Sequence, residues 1–344
     1  MFSFFKNLLS PKTTQADAPL EPVRGDAPEA IEVSGMPPFI LTQHYINHYG
    51  LPILDWPTVA SWVNEISDSE LQQKAWSQCE QAWLLSMQKA LGNNYRLFES
   101  AQAVIVSSLE PKLAEVTLAY IERTLQRVMN ALDGIATIPP LGKDILIVFD
   151  DDEQYYKYVS YYYPEEGGEF ASSGGMYLNL GCSHFVTIKS DLRVIEPVIA
   201  HELAHSCVSH LPLPLWLDEG IAVNIEQQLV GKGSPEFTDR EMHDMHTHFW
   251  NKSTIQEFWS GDSFARVDDG CLLSYDLARL MVKHMSADWD SFKKFVLAAN
   301  YADAGKAAEN EYLELGLGEA VCAFIGKDFT QQWSPDPSSL VIQN

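Results

Sequence analysis

Residues 201 to 205 are His-Glu-Leu-Ala-His, and fourteen positions after the second histidine Glu219 stands in the run Pro-Leu-Trp-Leu-Asp-Glu-Gly-Ile-Ala, 214 to 222. Two imidazoles and a carboxylate are the donors a zinc ion takes. On an α-helix, positions i and i+4 lie one above the other, so His201 and His205 can point both rings at one ion. Glu202 is rotated about 100° away, which leaves its carboxylate free to face a water beside the ion, the geometry a general base needs. The pattern predicts a zinc site with its own base.

Five residues alone do not establish a site. With ten histidines in 344 residues, chance would place such a pentad in roughly one chain in a hundred. The surroundings carry the weight. Val194, Val198, Ile199 and Leu203 stand at helical spacing, so the pentad sits on a helix packed against a core. Pro197 either opens that helix or kinks its first turns. Pro212 and Pro214 then hold the chain extended and end it. A second helix starts near Trp216, with Ile221, Ala222, Ile225 and Leu229 on its buried face and Gly231 as its end signal. Helix, proline turn and helix can bring Glu219 back beside the histidines. Asp218 or Glu196 could orient a ligand histidine through its second ring nitrogen.

His-Glu-x-x-His followed by Trp-Leu-x-Glu-Gly-x-Ala resembles the signature of the gluzincin metallopeptidases, the group of thermolysin and the aminopeptidase N type enzymes. More narrowly, it is similar to the compact peptidase MA-like domains. The resemblance is sharp over residues 195 to 225, looser over 143 to 330, and absent before that. It implies His201, His205 and Glu219 as ligands of one zinc ion, Glu202 as the base that activates water, and a peptide or protein as substrate. The thirteen residues between His205 and Glu219 are fewer than the aminopeptidase N insert, so exopeptidase specificity is not carried across. Tyr275, in the run Ser-Tyr-Asp-Leu-Ala-Arg-Leu-Met-Val-Lys-His at 274 to 284, matches the tyrosine that such enzymes place over the metal to stabilise an oxyanion; a purely structural tyrosine is the other reading. The resemblance also implies an edge strand that pairs with substrate backbone, with Gly175 and Met176 as contacts; a glycine bulge without substrate is the alternative. A zinc-bearing module that binds a protein partner without catalysis is the rival function. The intact Glu202 argues against it.

Composition narrows the rest. A net charge of −24 repels phosphate backbones, so nucleic acid is excluded as a natural partner. No run of eighteen apolar residues offers a transmembrane segment. The first ten residues lack the features of a signal peptide. They either fray or form a short amphipathic helix, with Phe2, Phe5 and Leu9 on one face, that touches a membrane or a partner weakly. Five scattered cysteines without a Cys-x-x-Cys pair fit a reducing, cytoplasmic setting.

The elements that must position the site follow from patterning. The expected class is α+β: a gluzincin-like catalytic domain over 141–330, with a small mixed sheet packed on the zinc-site helix and a helical bundle after it. A flexible lead over 1–45 and a mainly helical region over 46–140 precede it, and a tail over 331–344 closes the chain. Helical periodicity runs over 58–91, with Trp76 and Trp83 as core anchors, and again after Pro111 up to Asp133-Gly134. Residues 95 to 106 are a strand pair or part of a small sheet. Ile145-Leu-Ile-Val-Phe149 predicts a buried strand, and further strands are expected at 172–177 and 185–188. Six tyrosines in 155–163 could line a cleft, but at helical spacing they more often cover a sheet. His243, His246 and His248 are expected on a polar surface rather than at a second metal.

Overall fold

The computed structural model describes residues 20–163, 175–178, 181–189, 192–231, 237–338 and 340. Four short strands come first: β1 (Ala30–Ile31), β2 (Phe39–Ile40), β3 (Tyr45–His48) and β4 (Leu51–Leu54). Helices α1 (Trp56–Asn64) and α2 (Ser69–Leu91) follow. The expected continuous helix over 58–91 is broken at Asp68, whose side chain accepts from the backbone N–H groups of Glu70 and Leu71 and caps a new start.

Next come β5 (Arg96–Glu99), β6 (Ala103–Ser107), α3 (Pro111–Ala131), β7 (Asp144–Phe149), α4 (Asp152–Tyr162), β8 (Gly175–Leu178) and β9 (His184–Ile188). They build one mixed sheet in the order β5-β6-β7-β9-β8, so residues 95 to 106 supply both a strand pair and part of that sheet. The pairs β6–β7 and β7–β9 are parallel and each needs a crossover, which α3 and α4 provide. Side chains alternate across β7. Leu146 and Val148 enter a core with α3, while Ile145, Ile147 and Phe149 enter a second core with α2 and α4. Tyr155, Tyr158 and Tyr162 cover this second face and are buried.

This sheet corrects the expected boundary at residue 141. Residues 46–140 contribute β5 and β6, and α3 packs against the helix that carries the pentad. The flexible lead is corrected too. Residues 1–19, with Phe2, Phe5 and Leu9, lie outside the described residues, but from Leu20 onward the lead is attached. Val23 bridges Leu97 at the sheet edge, and Ile31, Phe39 and Leu41 are buried in the second core. Few apolar residues occur there, yet each fills a place on α1 and α2, which their low density concealed. The expected tail begins with a packed residue as well: Trp333 is buried and its carbonyl accepts from Trp259 Nε1 at 3.0 Å.

The remaining helices are α5 (Leu192–Val208), α6 (Leu215–Leu229), α7 (Asp239–Phe249), α8 (Thr254–Ser260), α9 (Asp269–Met285), α10 (Trp289–Ala298), α11 (Lys306–Tyr312) and α12 (Leu317–Ile325). All five cysteines are free. Among the described residues no helix is long and apolar enough to cross a membrane.

Candidate metal centre

Helix α5 buries Ile195, Ile199, Leu203, Ala204, Cys207 and Val208 against the sheet and α3. That leaves His201, Glu202 and His205 at its other side. Pro197 lies inside the helix, so α5 starts upstream of it. The turn closes with Leu211 N–H on the Val208 carbonyl and Leu213 N–H on the Leu211 carbonyl, and α6 starts with Leu217 and Asp218 bonded to the Pro214 carbonyl. Trp216 is fully buried and donates to the Ala304 carbonyl at 3.1 Å, which anchors the entry of α6 in the helical bundle. Gly220 then permits close contact with α9: a Cβ there would stand 2.6 Å from Val282 Cγ2 and 2.7 Å from the Ala278 carbonyl oxygen.

These constraints converge three donor atoms. His201 Nε2 and His205 Nε2 are 3.1 Å apart, and Glu219 Oε2 lies 3.2 Å from the first and 3.6 Å from the second. Zinc–ligand distances of about 2.0–2.1 Å require tetrahedral edges of about 3.3 Å, so the triangle has the size of one face of a zinc tetrahedron. His201, His205 and Glu219 are the one group of three such residues able to share an ion among the described residues. Glu219 Oε2 is buried, and the groups that face it are the two imidazole nitrogens. A buried carboxylate oxygen needs positive charge beside it, which charged imidazoles or a metal ion between the three atoms can supply. The donor set therefore fits a divalent ion.

Each of the two histidines is held from behind. His205 Nδ1 lies 2.8 Å from Asp218 Oδ1, and His201 Nδ1 lies 3.2 Å from Glu226 Oε2. With Nδ1–H donated to these carboxylates, each ring would keep its Nε2 lone pair for the space between His201, His205 and Glu219. Glu196 plays no such part; its carbonyl accepts from Tyr120. Glu226 was not anticipated from sequence, although its spacing of seven from Glu219 puts both on one face of α6.

The charges reinforce the arrangement. Burial works against ionised Glu219, but the two histidines outweigh it and hold the carboxyl well below its usual range. Burial likewise disfavours a charged His205, and Asp218 and Glu219 overcome this and push it up. Glu202 is pushed up by burial, with the two histidines opposing and Glu219 and Asp218 adding to the rise.

Comparisons with protein-family models, curated proteins and solved structures find no match.

Tyr275 is on α9 and its ring meets Phe264 edge-on at 5.2 Å. Its hydroxyl is pushed up by burial and then by the charges of Glu219, Cys271 and Glu202, which puts it in the electrostatic reach of the centre. Tyr163, at the end of α4, is also raised by burial and by Glu202. Gly175 and Met176 are on β8, the edge strand, antiparallel to β9. The absent side chain of Gly175 has a packing reason, since a Cβ would stand 2.8 Å from Val198 Cγ1 on α5. Met176 packs into the second core, and the neighbouring Tyr177 turns to the centre, stacked on His205 with centroids 6.4 Å apart. Ser172, Ser173 and Gly174 lie outside the described residues.

The histidine cluster on α7 divides. His243 and His248 are exposed, as expected, but His246 is buried, 3.0 Å from Asp276 Oδ2, and accepts from Trp250 Nε1 at 2.8 Å. Its ring ties α7 to α9 instead of facing solvent.

Proposed function

We propose that this protein is a zinc-dependent peptide-bond hydrolase of gluzincin type. The observation that carries the reading is the triangle of His201 Nε2, His205 Nε2 and Glu219 Oε2, at zinc spacing, with Glu202 next to His201 on α5. A zinc ion held by His201, His205 and Glu219 would supply Lewis acidity to a water and to a carbonyl. Glu202 is the group that would take a proton from a water attacking the peptide carbonyl and hand it to the leaving amine. Its burial favours this exchange, because a carboxyl raised above its usual range accepts a proton more readily. Tyr275 donates to the developing oxyanion. Asp218 and Glu226 keep the two rings aimed. An extended peptide can add its backbone to β8, the edge strand of the sheet among the described residues, passing Gly175 and Met176.

The test is hydrolysis of a quenched-fluorescent peptide library by the zinc-loaded wild type and by Glu202→Gln, which keeps the ligands and removes the base. Cleavage by the wild type alone supports the reading. Equal cleavage, or none by either protein with zinc bound, rejects it, the latter outcome in favour of a binding module.

A further inference from the structure

Asn224 stands in the interior of α6, where asparagine is a poor helix former and gives up stability that a straight-chain residue or leucine would keep. Its amide is used instead to join two helices. Nδ2 donates to the Gly220 carbonyl one turn back at 2.7 Å and, across the interface, to the Arg279 carbonyl of α9 at 2.9 Å. Both partners are acceptors, so the amide must turn its two N–H groups toward them. Among the described residues this is the one side-chain hydrogen bond between α6 and α9.

The surfaces it joins are smooth. Gly220 meets Ala278 and Val282 so closely that no Cβ fits, and a glycine facing an alanine leaves little interlocking to stop one helix sliding along the other. A directional bond supplies the missing register. The turn of α9 that receives it is held from its other side as well: Asp276 Oδ2 lies 3.0 Å from His246 Nε2 of α7, and Asp276 Oδ1 accepts from Arg279 Nη2 at 2.6 Å. One end of the bridge is therefore at Gly220, next to Glu219 in the chain, and the other is one helical turn from Tyr275. Tyr275 is within electrostatic reach of Glu219 and Glu202, so a slide of α9 changes its distance to both. We infer that Asn224 is a positioning residue: by fixing the register of α9 on α6 it sets where the Tyr275 hydroxyl stands relative to Glu219. The catalytic consequence rests on the hydrolase reading, whereas the placement does not.

The test compares wild type with Asn224→Leu, which matches the branching of the side chain and removes its donors, and with Asn224→Ala, which cannot clash. In the full chain labelled with fluorotyrosine, the fluorine NMR resonance of Tyr275, assigned by its absence in Tyr275→Phe, should move in both variants, while that of Tyr49 at the turn between β3 and β4 holds. With quenched-fluorescent peptides the zinc-loaded variants should lose about tenfold to a hundredfold in kcat, with KM and zinc affinity near wild type. In a Tyr275→Phe background the same substitutions should add less than about twofold, because the group they misplace is already gone. An unmoved Tyr275 resonance, a rate loss that adds in full to that of Tyr275→Phe, or variants that no longer unfold cooperatively overturn the inference, the last by making the bond a contact of the fold alone. A zinc-loaded wild type that cleaves nothing rejects the hydrolase reading, and the resonance then decides the placement by itself.

Discussion

The carboxylates behind the two ligand histidines allow a quantitative prediction. Asp218→Asn replaces a charged acceptor 2.8 Å from His205 Nδ1 by a neutral amide, and Glu226→Gln does the same 3.2 Å from His201 Nδ1. Loss of such a partner costs about 10–100-fold in metal affinity, or about 1.4–2.7 kcal/mol. The Asp218 contact is shorter, and its histidine is the less exposed of the two, 11% against 16%. Asp218→Asn should therefore fall near the 100-fold end and Glu226→Gln near the tenfold end. Competition with a chromophoric zinc chelator at pH 7.5 measures both, with cooperative unfolding as the check that each variant is folded. Affinities within about twofold of wild type would refute the assignment of these carboxylates, since a positioning bond that can be removed without loss positions nothing.

Other consequences are open to measurement. Asp144, pushed up to about 7, holds its proton in the fold while the unfolded chain, with an ordinary value of 3.8, has lost it. Native protein then binds the extra proton, so stability is full at low pH and falls as pH rises from about 4 through 7, by up to ~1.4 kcal/mol per unit. Urea unfolding across that window should show wild type losing stability relative to Asp144→Asn, and parallel curves would exclude a buried acid. Gly220→Ala forces a methyl between α6 and α9 and should cost about 1–3 kcal/mol of stability, read by denaturant midpoint, and weaken zinc binding by displacing Glu219. Tyr275→Phe should leave zinc affinity and KM near wild type and lower kcat; a change in KM alone would mean that it contacts the ground-state substrate instead.

The convergence of His201, His205 and Glu219 was legible in sequence because helical spacing does most of the geometry. The i, i+4 pair sets His201 beside His205, the Pro212 and Pro214 turn sets the return, and both are local. Trp216 and Gly220 add what locality lacks, an anchor in the bundle and close packing on α9. The supports that were not read depend on contacts distant in sequence. Glu226 shares a face with Glu219, but only the fold brings it 3.2 Å from His201. Tyr177 reaches His205 because β8 is the strand beside α5, an order set by sheet topology. The same holds for architecture. A compositional change near residue 141 suggested a boundary, whereas the parallel pairing of β6 with β7 carries the sheet across it. His246 shows the limit of composition from the other side, since its acidic neighbours on α7 suggest solvent and its actual partner, Asp276, is thirty residues away.

The central claim is that His201, His205 and Glu219 hold one zinc ion. Metal analysis of the reconstituted and dialysed protein, with X-ray absorption of the bound zinc, tests it most directly. The account predicts one zinc per chain with two imidazole nitrogens at about 2.0–2.1 Å, retained in Glu202→Gln and lost in Glu219→Ala. A chain that retains no zinc, or one in which Glu219→Ala binds the ion as tightly as wild type, would contradict it.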